Sequence, residues 1–179
     1  FTPLLDGFTY APFNDPAALE AAISPRTCGI MLEPIQGEGG VIIPDDGYLA
    51  NVREICNRHK ILMIVDEVQT GIGRTGKLFA YEYSGVKPDI MTLAKALGNG
   101  FPVGAMLATD EAARAFSPGN HASTFGGNLL AMAAVKATLE TLIKDGVLDH
   151  CQRMGNYFLA KLQDLKARHA LISEVRGRG

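Results

Sequence analysis

The stretch ILMIVDEVQTGIGRTGK, residues 61–77, carries an apolar run into an acid, Asp66, and then into a glycine-rich turn. Four chemistries use residue types in this order. An apolar strand ending in an acid is how nucleoside triphosphatases hold magnesium beside a bound phosphate. Gly71, Gly73 and Gly76 spell the GxGxxG of a dinucleotide site, and Gly71 to Lys77 nearly spell the GxxxxGK of a phosphate-binding loop. In the fourth, Asp66 is the carboxylate partner of a cofactor ring nitrogen, and a lysine further along the chain is that cofactor's covalent anchor.

A phosphate-binding loop needs Ser or Thr after its lysine to hold magnesium, and here that position is Leu78. Asp66 also precedes the glycines, the reverse of the usual order. The dinucleotide fingerprint needs its first glycine at the strand end and an acid at the end of the next strand. Here residues 67–70 intervene, and Asp89 stands at the start of the next apolar run, after Lys87-Pro88. For the fourth chemistry, the run Ile90–Leu93 is followed at once by Ala94-Lys95. One turn and one helix fit between the two runs, so Asp66 and Lys95 are expected at the carboxyl ends of adjacent parallel strands, where α/β sheets place their ligands.

A carboxylate hydrogen-bonded to a pyridinium N–H keeps that ring protonated and electron-withdrawing. A lysine amine forms a Schiff base with a cofactor aldehyde when its surroundings leave part of it neutral, and TLAKALGNG offers an apolar, glycine-rich setting for Lys95. Spacing alone also admits, and by itself favours, a solvated lysine and an Asp66 that caps a turn.

The elements that would position these groups are short apolar runs alternating with longer amphipathic ones, the pattern of βαβ units around a mostly parallel sheet flanked by helices. Strands are expected at Gly29–Glu33, Ile61–Asp66, Ile90–Leu93 and Val103–Ala108, all of a kind that suits buried parallel strands. Helices are expected at Gly47–His59, Asp110–Phe116, Asn128–Lys144 and Leu148–Arg168. Lys144-Asp145-Gly146 supplies a helix stop and a boundary, so residues 1–145 are expected to form one unit. Residues 146–179 then form a connecting helix and the start of a smaller α/β unit, with LISEVRG, 171–177, as its strand.

With 179 residues, 47% of them hydrophobic and 20% charged, the chain is an ordinary globular one rather than a disordered one. A net charge of −2 without a basic block lacks the footprint of a nucleic-acid or anionic-membrane binder. Cys28, Cys56 and Cys151 are odd in number and widely spaced, which argues against a disulfide framework or a zinc site and for a reducing cytoplasm. Cys28 and Cys56 lie on apolar faces and are expected in the core. No apolar stretch approaches the roughly 20 residues of a membrane span. The chain opens at Phe1 and stops at EVRGRG, and it is expected to be a piece of a longer protein.

Four blocks, EPIQGEGG (33–40), VDEVQTGIGRTG (65–76), PDIMTLAKALGNGFPVGA (88–105) and HASTFGGN (121–128), together resemble the class-III, fold-type-I pyridoxal-phosphate aminotransferases, in the family's order. The resemblance implies that Lys95 is the Schiff-base lysine, Asp66 the partner of the pyridine nitrogen, Gln69 the neighbour of the ring hydroxyl and Val68 the side chain packed on one ring face. It implies that Thr124 reaches the cofactor phosphate of a neighbouring subunit, hence a homodimer with shared active sites. Glu38 matches a gate glutamate whose arginine partner lies beyond residue 179, and Glu33 a second pocket carboxylate that supports Gln69. The phosphate-holding turn and the ring-stacking aromatic are expected before residue 1, so the piece by itself is expected to be inactive. The family has Pro where this chain has Leu129, and often Tyr in place of Phe125. The implied reaction of the intact protein moves an ω-amino group to 2-oxoglutarate. The donor is N-acetylornithine, or alternatively ornithine, succinylornithine or 4-aminobutyrate. From other classes, a nucleotide-binding module using Gly71–Lys77 and a catalytically incomplete fragment stay open. His121 reads as a loop hydrogen-bonder, Arg74 and Lys77 as solvated, and Gly98 and Gly100 as turn residues at positive φ.

Overall fold

The computed structural model describes residues 3–179, so the first two residues of the expected 1–145 unit lie outside the described residues. A four-stranded sheet of order β1-β2-β3-β4 is formed by Gly29–Leu32, Leu62–Asp66, Ile90–Leu93 and Ala105–Ala108. β1, β2 and β3 run parallel, with Leu32 beside Val65 and Asp66 beside Thr92. β4 runs antiparallel to β3, pairing Ala105 with Leu93.

α1 (Pro16–Ala21) precedes the sheet and is capped by Asp15, whose Oδ1 accepts from Ala18 N at 2.9 Å. α2 (Tyr48–His59) connects β1 to β2 and buries Tyr48, Leu49, Val52, Ile55 and Cys56. That stripe recurs every three to four residues, so one face of α2 meets the sheet. It packs on Ile30, Met63 and Val65, which alternate with outward residues along their strands. Each such side chain contributes roughly 1.5–3 kcal/mol by leaving water. Lys60, at φ 55°, closes α2 and turns the chain into β2. Asp89 ties the edge of this layer: its Oδ2 accepts from Met63 N at 2.7 Å and from Arg53 Nη1 of α2 at 2.8 Å.

A second cluster, Ile72, Met91, Leu93 and Leu97, is covered by Val135, Leu139 and Leu142 of α4 (Leu129–Lys144). Gly146, at φ 67°, separates α4 from α5 (Val147–Arg168), as the helix stop predicts. α5 lies across the loop after β2, where the Cys151 thiol donates to Arg74 O at 3.6 Å. No helix among the described residues is long and apolar enough to cross a membrane.

Four expectations fail for identifiable reasons. The run Val103–Ala108 yields neither a parallel nor a buried strand. The connection from Ala94 to Gly104 is too short for a crossover helix, so the chain folds back antiparallel, and Met106 is 49% exposed on the sheet edge. The helix expected to Phe116 is α3 (Asp110–Ala113) only, capped by Thr109 and followed by a turn at Ser117–Asn120. LISEVRG forms no strand: its backbone lies along α5, with Gln163 Nε2 donating to Val175 O at 3.3 Å. Cys56 is buried as expected, but Cys28, the residue before the edge strand β1, is exposed and lies outside the core that α2 covers.

Candidate active site at the carboxyl end of the sheet

β2 ends on Asp66, and the ladder continues one step further through Glu67 N, which donates to Thr92 O at 3.0 Å. The chain then turns sharply. Asp66 Oδ1 accepts from Val68 N at 2.9 Å, and Glu67 O accepts from Gly71 N at 2.9 Å. The first bond is a turn made by an Asp side chain on its own backbone. It occupies one carboxylate oxygen and leaves the other without a protein donor among the described residues. The turn-capping use of Asp66 and a ligand-facing use are therefore compatible.

β3 ends on Leu93, and Ala94 leads into a single turn of 3-10 helix at Lys95–Leu97. Lys95 has φ 45°, a left-handed backbone that costs a non-glycine residue energy and that clusters at functional sites. Its side chain is exposed, not lodged in the apolar setting expected from TLAKALGNG. Its Nζ donates to Gln69 Oε1. The sheet thus brings Asp66, Gln69 and Lys95 to one end of two adjacent parallel strands, with the half-buried Val68 in the turn between the first two.

The loop 33–42 closes the other side. Gln36 and Ile42 bridge its base, and Glu33 Oε2 accepts from Gly37 N at 2.9 Å. A Cβ on Gly37 would lie 2.7 Å from Gln69 Nε2, so a side chain there would push the Gln69 amide out of its present position. Glu33 thereby braces the loop on which Gln69 rests. Glu38 is exposed at the tip and makes no ion pair among the described residues. Thr124 is not brought to this group: residues 121–130 are all exposed, and α4 begins among them at Leu129, capped by Asn128, whose Oδ1 accepts from Ala131 N at 2.9 Å.

The glycine-rich loop serves packing. A Cβ on Gly73 would come within 2.9 Å of Leu148 Cδ2, and one on Gly76 within 3.0 Å of Gln152 Cβ. Both glycines lie at positive φ, 82° and 90°, and face α5. Only a single 3-10 turn, Ala80–Tyr83, follows them before β3, and Lys77 Nζ is engaged, 3.3 Å from Glu82 O and 4.6 Å from the centre of the Tyr83 ring. This loop presents neither the helix N-terminus nor the free lysine of a phosphate site. Gly98 also differs from expectation: its φ is −96°, and its role is to let Phe101 O pass where a Cβ would be 2.0 Å away, while Asn99 and Gly100 take the positive φ. His121 is exposed and packs edge-on against Phe116.

Sequence reasoning passed over Glu67. It is 1% exposed, and its carboxylate accepts from Thr70 Oγ1, Ala80 N and Tyr81 N. Burial pushes its pKa above the usual carboxylate range, against the pull of those three donors. The period-two alternation of β2 gave the signal, since residue 67 falls on the inward side with Met63 and Val65. Thr92 was also missed. It is the register partner of Asp66, and its Oγ1 is buried with no partner.

A mostly parallel sheet flanked by helices, with a carboxylate and a lysine at neighbouring strand ends, is the α/β architecture that the comparisons with solved aminotransferases show to be a fold-type-I domain. The chain belongs to the class-III aminotransferase family, whose profile matches residues 8–179. It is 54% identical, over its whole length, to an acetylornithine aminotransferase of Caldanaerobacter subterraneus, of which it covers 45%. Among solved structures it resembles the acetylornithine aminotransferase of Elizabethkingia anophelis (TM-score 0.92, 44% identity, 97% of this chain and 44% of that one). It also resembles the ornithine aminotransferase of Toxoplasma gondii (TM-score 0.95, 40% identity, 99% and 43%). The chain spans about 45% of the length of the curated relatives it matches.

Proposed function

We propose that the full-length protein is a pyridoxal-phosphate aminotransferase that moves the ω-amino group of N-acetylornithine to 2-oxoglutarate. The observation that carries this is the placement of Asp66 and Lys95 at the carboxyl ends of β2 and β3, with Gln69 bonded to Lys95, in a chain of the class-III family. The donor rests on the relatives named acetylornithine aminotransferase at 54% and 50% identity.

The residues present fit the cofactor: a primary amine in Lys95, a carboxylate oxygen of Asp66 open to a ring N–H, an amide in Gln69 and an apolar side chain in Val68. When bound, pyridoxal phosphate supplies an aldehyde that takes up the amino group and a protonated ring that withdraws electrons from it. Asp66 keeps that ring nitrogen protonated by holding its proton in a charge-assisted hydrogen bond. Lys95 anchors the cofactor covalently. When free, its Nζ would be the base that accepts the proton from the amine-bearing carbon of the donor. Gln69 orients Lys95 and would hold the ring hydroxyl, and Val68 would pack on the ring. Glu33 holds the loop beneath Gln69, and Glu38, exposed among Gly37, Gly39 and Gly40, is the gate that moves when a dicarboxylate enters.

A second copy of the chain is the proposed partner, with Thr124 serving the neighbour's cofactor phosphate. Its support is the exposed apolar group around that loop, where Phe125 is 80% and Leu129 89% exposed. Residues 146–179 are proposed to lead into a second domain, and the cytoplasm is the proposed compartment, supported by three free cysteines. The Toxoplasma gondii neighbour gives ornithine a place as the second donor reading.

Full-length protein loaded with pyridoxal phosphate, offered each ω-amine with 2-oxoglutarate and assayed for glutamate, tests this. The highest kcat/KM is expected with N-acetylornithine. Preference for ornithine or 4-aminobutyrate would replace the donor, and no glutamate from any donor would end the proposal.

A further inference from the structure

The turn after β2 is stitched by hydrogen bonds, and one residue supplies most of them. Glu67 uses its N–H on Thr92 O of β3, its carbonyl on Gly71 N, and its carboxylate on Thr70 Oγ1 at 2.5 Å, Ala80 N at 3.1 Å and Tyr81 N at 2.8 Å. The Ala80 and Thr70 donors share Oε2, and Tyr81 takes Oε1. Asp66 stands immediately before this brace and Gln69 lies within it, between Glu67 and its partner Thr70. The approach is close: a Cβ on Gly71 would fall 2.8 Å from Glu67 O. A buried carboxylate among apolar neighbours is costly unless it is fully bonded, and here three donors meet it.

We infer that Glu67 is a positioning residue for the site: it locks the 66–71 turn against the segment 79–81, fixing the Asp66 carboxylate and the Gln69 amide relative to Lys95. Glutamine is the informative replacement. It keeps size and shape but swaps one acceptor oxygen for an NH2 group. Either Tyr81 N–H or the Ala80 N–H and Thr70 pair then faces a donor instead of an acceptor. The turn loosens while the rest of the core stays.

The inference rests on the aminotransferase proposal for its effect on turnover, but not for its effect on the turn. The test uses full-length Glu67→Gln, with Thr70→Val as a second variant that removes one donor and leaves the carboxylate. Hydrogen exchange of the cofactor-free protein is expected to speed up about tenfold at residues 68–71 and 79–81, with α2 unchanged. In the loaded protein, kcat per folded molecule is expected to fall about tenfold or more with the donor KM little changed, and the pH midpoint of the visible cofactor band to move. If Glu67→Gln does not fold, Thr70→Val is expected to show the same pattern to a smaller degree. Wild-type exchange at 68–81 in the variants, or a loss of activity that only tracks the folded fraction, would overturn the inference. A wild-type protein with no cofactor band would instead sink the proposed function and leave the exchange result standing.

Discussion

Lys95 Nζ donates a hydrogen bond to the Gln69 amide oxygen across the ends of two neighbouring parallel strands. The contact exists because the register sets Asp66 beside Thr92, so the turns leaving β2 and β3 start at one level. Gly37 completes the arrangement by giving the Gln69 amide a floor without a Cβ.

Replacing Gln69 with leucine keeps the bulk and removes the acceptor. In the proposed site the amide bonds the ring hydroxyl, and loss of one such hydrogen bond costs roughly 0.5–1.5 kcal/mol, so cofactor affinity in the full-length protein is expected to fall about twofold to tenfold. Titration of the cofactor-free protein with pyridoxal phosphate, followed by protein fluorescence, measures it. An unchanged dissociation constant would take Gln69 out of the site.

Asp66→Asn preserves the acceptor for Val68 N and hence the turn, but it removes the negative charge. The variant is expected to bind the cofactor and to lose roughly 100-fold or more in kcat, the size of effect seen when a single electrostatic contact at a reacting centre is deleted. Steady-state rates on the loaded protein decide it; an Asn variant as fast as wild type would exclude Asp66 from the chemistry.

The parts of the fold that were legible are those fixed by local periodicity. The apolar runs ending at Asp66 and Leu93 located the strand ends, and with them the placement of Asp66 and Lys95 at the ends of adjacent strands. The stripe Tyr48, Leu49, Val52, Ile55 and Cys56 located α2. An apolar run does not carry its direction, however, and β4 reverses only because the link from Ala94 to Gly104 is short. Nor does it say what covers it, which is why Cys28 was misplaced. Gln69, Val68 and Glu33 came from resemblance to family motifs. Glu67 escaped because an acid beside Asp66 reads as solvent-facing until its inward parity is counted. The Lys95 backbone at φ 45° has no signature in residue types at all.

Gly98 was read as a positive-φ turn residue, yet it is needed for space. Gly98→Ala puts a methyl group against Phe101 O, and the strain is expected to cost about 1–3 kcal/mol. Thermal unfolding of the full-length variant is expected to shift to lower temperature. An equal melting temperature would mean that the 98–101 turn relaxes without cost.

Cys56 sits in the core with its pKa pushed up to about 11, chiefly by burial, while Cys28 is exposed. The thiolate is the reactive form, so at pH 8 iodoacetamide is expected to label Cys28 in the folded chain and to reach Cys56 only after denaturation. Peptide mass mapping reads both sites in one experiment. Labelling of Cys56 at the rate of Cys28 would show that the face of α2 opens readily.

The role of Lys95 as covalent anchor is tested most directly by treating the full-length protein, loaded with pyridoxal phosphate, with borohydride and mapping the modified peptide. One phosphopyridoxyl group is expected, on Lys95. Stable attachment to another lysine, or none in a protein that binds the cofactor, would contradict it.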